Sequence, residues 1–164
     1  MFSTRKLVLL SFLVTLAAAL GFLEMHLPNP FPFPGAKLGL ANIVTLLVLY
    51  LFSVREGILV SILRVCFISF LSGTFLAVGF WLSLSGALLS TLAMAVVIKY
   101  WASLSIVGVS IIGALFHNLG QIFVAAFLMH TLHIFYYLPF LLLVSLPTGL
   151  LTGYLARLLR PFLR

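Results

Sequence analysis

Acidic side chains are almost absent from this chain of 164 residues: there is no aspartate, and the only glutamates are Glu24 and Glu56. A water-soluble surface needs far more charge than this. The scarcity also removes whole classes of chemistry. No paired acids are available to hold magnesium against a diphosphate, and no convincing Ser-His-acid set can be assembled. No glycine-rich loop followed by Lys and Ser/Thr offers a phosphate cradle, so direct use of ATP is not expected. The single cysteine, Cys66, permits no internal disulfide and reads as a small buried apolar residue. Helix 5 has one histidine with no nearby Cys or carboxylate, and the loop histidines have no other ligands beside them, so no metal site is expected, and no cofactor.

What fills the chain is apolar: 64% of residues are hydrophobic. The apolar runs are long enough to cross a bilayer repeatedly. They are continuous rather than alternating, which excludes a β-barrel and favours helices, whose backbone hydrogen bonds are satisfied internally. The expected architecture is all-α: a polytopic membrane protein, one transmembrane domain over residues 1–164, with six helices and a short or broken third span. Arg5 and Lys6 followed by an apolar stretch and Ala17-Ala18-Ala19 mimic a signal peptide. The stretch runs on to about Leu23, so a retained first helix is the better reading.

Punctuation places the segments. Helix 1 is expected over about 7–27, ended by Pro28. A proline-stiffened loop, Asn29 to Gly35, follows. Helix 2 covers about 37–53, Val54-Arg55-Glu56-Gly57 forms a turn, and helix 3 covers about 58–72. An apolar connector, Gly73 to Phe80, leads to helix 4 (about 81–99) and helix 5 (about 104–129). The loop His130-Thr131-Leu132-His133 precedes helix 6 (about 134–159), with a bend near Pro139 or Pro147. Those two loop histidines read as part of a solvated turn. No internal repeat is evident.

The net charge of +7 invites a nucleic-acid reading, but the cations sit at segment ends rather than in a stripe. Six crossings from a cytoplasmic start gather Arg5, Lys6, Arg55, Lys99, Arg157, Arg160 and Arg164 on the inside and leave Lys37 outside. That asymmetry is the positive-inside pattern, and it predicts a cytoplasmic membrane with both termini in the cytoplasm.

In so apolar a chain the few polar groups inside helices carry the functional signal. Arg64 is the sharpest: it faces a partner, cavity or substrate, or else it snorkels toward the end of helix 3. Lys37 stands near a helix start, where a cation is disfavoured; anion capture and a salt bridge to Glu24 are both open, as is a plain interfacial position. Asn42 either bonds a neighbouring helix or lines a pocket. In helix 5, His117, Asn118 and Gln121 concentrate three polar side chains beside Gly120, as a substrate pocket or an interhelical network. Glu24 and His26 close helix 1 at the interface. The small pairs Ala17/Gly21 and Gly149/Gly153 let helices approach closely, for internal packing or for docking to another membrane subunit.

The runs Pro34-Gly35-Ala36-Lys37-Leu38-Gly39-Leu40-Ala41-Asn42 and Gly113-Ala114-Leu115-Phe116-His117-Asn118-Leu119-Gly120-Gln121 carry a resemblance. So do Arg55-Glu56 with Arg64, and Tyr136-Tyr137-Leu138-Pro139 with Gly149 and Gly153. Over nearly its whole length the chain resembles the bacterial membrane family labelled heptaprenyl diphosphate synthase component I, also called Gx transporter. In size, helix count and small-residue first helix it is more loosely similar to the substrate-binding subunits of energy-coupling-factor transporters.

The looser likeness implies an outward-opening six-helix pocket, with ATPases and a coupling membrane subunit on other chains. The expectation is therefore a substrate-binding transporter subunit, with Lys37, Asn42, Arg64, His117, Asn118 and Gln121 around an anionic or amphipathic ligand. The family label implies the alternative: a non-catalytic membrane component partnering a soluble prenyl synthase, with Arg64 and Lys37 on a prenyl diphosphate. A purely structural assembly subunit is the third possibility.

Overall fold

The computed structural model describes residues 4–28 and 38–163, and among them every regular element is helical. Six α-helices follow one another: α1 Thr4–His26, α2 Leu40–Leu51, α3 Val54–Leu71, α4 Val78–Tyr100, α5 Ile106–Leu128 and α6 Leu138–Leu159. Two 3-10 segments, Leu132–Tyr137 and Arg160–Leu163, flank α6. The proline-rich loop and Lys37 lie outside the described residues.

Four stretches are long and apolar enough to cross a membrane: Thr4–His26, Val78–Tyr100, Ile106–Leu128 and Leu132–Phe162. The other two helices fall short for different reasons. α2 has 12 residues, or about 18 Å at 1.5 Å per residue, against a hydrocarbon core of about 30 Å. α3 has 18 residues but carries Arg55, Glu56 and Arg64. A short or broken third span was expected; α3 is not among the four, and α2 is shorter still.

The boundaries explain this. Gly39 precedes α2 with φ of 78°, a left-handed conformation that glycine adopts freely, and it delays the helix start past residue 37. At the other end the expected Val54–Gly57 turn is the first turn of α3. Ser53 accepts a hydrogen bond from the Arg55 N–H at 3.3 Å, and its hydroxyl donates to Glu56. This is the Ser-x-x-Glu capping pattern, which satisfies orphan donors at a helix start. Pro139 likewise starts α6 instead of bending it, because its missing N–H costs nothing in the first turn. Pro147 lies within the continuous α6.

Small residues set the packing. A methyl group at Gly120 would come within 2.8 Å of the Ser85 carbonyl oxygen, and one at Gly86 within 2.8 Å of the His117 carbonyl oxygen, so α4 and α5 touch backbone to backbone. Gly149 and Gly153 press in the same way on Ile111 and Val107 of α5. On the other side Leu10, Leu13, Val14 and Ala17 of α1 pack with Val44 and Val48 of α2 and Val60 of α3. α2 then bridges to α4, α5 and α6 through Leu46, Leu47, Met94, Val109 and Ala156. Around this interior the surface is strongly apolar, with Phe12, Leu23, Phe123 and Leu143 all exposed.

One end of the bundle is cationic. Lys6 pairs with Glu56, and the Arg160 guanidinium stacks 4.7 Å from the Tyr50 ring centroid. Arg157 shares a groove there with Tyr50, Trp101 and Ser105.

Candidate functional site

A polar cavity of about 90 Å³ lies between the α1–α3 side and the α4–α6 side, toward the end opposite the cations. Each helix contributes to it, and the reason each side chain reaches it is local.

Arg64 stands ten residues after the start of α3 at Val54, about 15 Å along the axis. The capped first turn puts it deeper than the sequence suggested. It is 5% exposed, and it does not snorkel back toward that start. Its guanidinium reaches toward the opposite end, where Nη2 donates to the Asn42 side-chain oxygen at 2.6 Å. Its Nε is buried without a hydrogen-bond partner. An uncompensated buried donor costs about 1–3 kcal/mol, more when charged.

Glu24 closes the same end of the cavity. Its carboxylate accepts from the backbone N–H groups of Gly39 at 2.6 Å and Leu40 at 2.9 Å. An anion at a helix N-terminus satisfies donors the helix cannot and opposes the positive end of its dipole. Glu24 therefore fastens the end of α1 to the start of α2, a more specific role than an interfacial one.

The α5 residues form the far wall. His117 and Gln121 are half-buried and line the cavity; a methyl group at Gly86 would meet the His117 ring and the Gln121 side chain at 3.0 Å each, so this glycine keeps their space open. Asn118 also lines the cavity, while its amide nitrogen donates to the Leu141 carbonyl of α6 at 2.9 Å. Asn118 thus both lines the cavity and ties α5 to α6. Ser110 and Thr152 bond each other at 2.8 Å between α5 and α6. Ser90 of α4, 1% exposed, brings a buried hydroxyl oxygen without a partner into the same space.

Five of the six expected pocket residues thus converge: Asn42, Arg64, His117, Asn118 and Gln121. Lys37 lies outside the described residues. Ser90, Ser69 and Ser83 also line the cavity and were not expected there. Serine in an apolar helix carries little signal, because its hydroxyl commonly bonds its own helix, as Thr91 does here to the Ala87 carbonyl at 2.7 Å. The small pairs proposed for docking, Ala17/Gly21 and Gly149/Gly153, are buried against other helices of the same chain. That burial accords with the internal-packing alternative.

Chemically the cavity offers a guanidinium, hydroxyls, amides and an imidazole, with a single carboxylate already engaged by backbone donors. Among the described residues no three His, Cys, Asp or Glu side chains gather as metal ligands. Such a set can hold an anion by charge-assisted hydrogen bonds, with Arg64 as the fork.

The family model for heptaprenyl diphosphate synthase component I matches residues 13–159. The chain belongs to this family. The matched stretch contains every residue that lines the cavity. No curated protein and no solved structure matches the chain. The family description favours the prenyl-synthesis alternative over the transporter reading, for which the comparisons provide no support.

Proposed function

We propose that this protein is the non-catalytic membrane component of heptaprenyl diphosphate synthesis, and that its cavity holds the diphosphate end of a prenyl substrate for a separate synthase. The observation that carries this is the convergence on Arg64. Polar side chains from six helices surround a buried guanidinium that still has an unused donor. A purely structural bundle has no reason to keep such a cation in an apolar interior. The family description supplies the ligand class, and the two carboxylates of the chain leave the magnesium-dependent chemistry to a partner.

In this reading the six helices all cross or enter a bacterial cytoplasmic membrane, with both termini and the cationic end in the cytoplasm; the cavity then faces the outer leaflet, and the bound head must move inward through the bundle to reach a cytoplasmic synthase. α2 and α3 are then shielded from lipid by their neighbours where they are short or charged. Arg64 and Asn42 orient the headgroup, His117 and Gln121 face it from α5, and Asn118 holds the wall to α6. Lys37, two residues before Gly39 in the sequence, is assigned as a second cation for the diphosphate.

The cavity alone would also suit a transport subunit, so the test is the partner. Purification from native membranes should recover a soluble prenyl synthase, and deletion of the gene should reduce long-chain prenyl diphosphate. Recovery of ATPases and a coupling membrane protein, with prenyl products unchanged, would establish transport instead.

A further inference from the structure

A cavity of about 90 Å³ takes a small polar group and a few waters. It cannot take a chain of seven isoprene units. If the cavity holds a prenyl diphosphate head, as proposed above, the tail must leave either past the open end at Glu24, Met25 and Leu38 or through one of the seams between helices.

Several seams are shut. Between α1 and α3, a methyl group at Gly21 would collide with the Ile68 side chain. Between α4 and α5, Gly86 and Gly120 bring backbones into contact, and Gly149 and Gly153 do so between α5 and α6. Between α3 and α4 the cavity wall is made by two serines, Ser69 and Ser83, with Val65 beside them. Val65 packs in turn on Phe80 and Ala87, so this seam is closed as well, but by side chains rather than by backbone contact. From Phe80 an aromatic ladder runs outward: its centroid is 5.0 Å from Phe75, which stacks on Phe70 at 4.1 Å, and Trp81 flanks Phe80 at 5.2 Å. Exposure rises along the ladder from 5% at Phe80 to 37% at Phe75 and 64% at Phe70. The turn that carries Phe75 is strained, since Leu76 holds φ of 61°, a region bulky residues rarely adopt. Strain of this kind persists where the surrounding structure imposes it, often beside a ligand.

We infer that the prenyl tail passes between α3 and α4 at Ser69 and Ser83 and lies along Phe80, Phe75 and Phe70 on its way to the lipid. This inference rests on the prenyl diphosphate reading of the cavity. Lipid tails are as apolar as the prenyl chain, so the ladder contributes dispersion contact with a preformed surface rather than a large hydrophobic gain. Its effect on affinity is accordingly modest, while its effect on position is decisive.

The two tryptophans of the chain, Trp81 and Trp101, make position measurable. Trp81 touches the ladder, and Trp101 lies in the groove at the cationic end. A prenyl diphosphate carrying a nitroxide near the head end of its tail is titrated into full-length protein with Trp101→Phe, and into the reciprocal Trp81→Phe protein. Saturable binding is followed independently with radiolabelled heptaprenyl diphosphate. The inference predicts quenching of Trp81 that saturates with binding and is reversed by unlabelled heptaprenyl diphosphate, with Trp101 unchanged. Phe75→Ala should weaken heptaprenyl diphosphate about threefold to tenfold, as expected for one lost aromatic contact, and leave inorganic diphosphate unaffected. Saturable binding without quenching of Trp81 would overturn the tail path and leave the cavity reading intact. Absence of any saturable binding would overturn both.

Discussion

Arg64 is a buried cation that the rest of the structure satisfies only in part, through Asn42 and the charge of Glu24 in the same cavity. Its hydrogen bond to Asn42 leaves Nε unsatisfied in a buried position, and a cation in such a place costs stability. Replacing it with an apolar side chain of similar reach should therefore separate stability from binding. Arg64→Met is expected to melt at or above the wild-type temperature by thermal-shift measurement in detergent. The same protein should lose affinity for inorganic diphosphate at least about 30-fold, equivalent to about 2 kcal/mol for charged hydrogen bonds. Glu24 makes the opposite case. Its carboxylate is matched to two N–H groups at the start of α2, so Glu24→Gln should lower stability by about 1 kcal/mol, read as a fall in melting temperature. An unchanged melting temperature in Glu24→Gln would remove its fastening role.

Among the elements, the contrast between glycines tests how the cavity is held open. Gly120 meets the Ser85 carbonyl oxygen across the α4–α5 seam, whereas Gly79, in the first turn of α4, has nothing within 4 Å of where a methyl would sit. Gly120→Ala should destabilise by more than about 1 kcal/mol, as overpacking against backbone does. Gly79→Ala should be neutral or stabilising by about 0.5 kcal/mol through the unfolded state. Chemical denaturation of both variants in mild detergent measures the difference. Ser53→Ala, which removes the α3 cap, should cost about 1 kcal/mol by the same measurement.

How far the sequence could be read follows from such details. The apolar runs of α1, α4 and α5 and the proline and glycine punctuation were visible because each has a local cause. The convergence of Asn42, Arg64, His117, Asn118 and Gln121 was legible because polar side chains in apolar helices are costly wherever they point. The start of α3 was missed although Ser53 and Glu56 spell a capping pattern, since Arg55-Glu56 between two apolar runs also spells a turn. Ser90 could not have been singled out, because what distinguishes it is a missing partner, a property of packing. The roles of Gly149 and Gly153 depend on which helix faces them, which a single sequence does not state.

At the scale of the whole molecule, charge is segregated: Lys6, Lys99, Arg157 and Arg160 belong to one end, and the cavity lies toward the other. With six crossings, single cysteines introduced at Arg55, Lys99 and Arg160 in a Cys66→Ser background should react with a membrane-impermeant thiol reagent only from the cytoplasmic side. One at His130 should react only from outside. Labelling of Lys99→Cys and Arg160→Cys from opposite sides would break the topology. The central claim, that the polar interior exists to hold a prenyl diphosphate, is tested most directly by calorimetric titration of purified protein with heptaprenyl diphosphate, alongside Arg64→Met. The account predicts single-site saturation in the wild type, lost in a variant that remains folded. No binding by the wild type, or equal affinity in the two proteins, would contradict it.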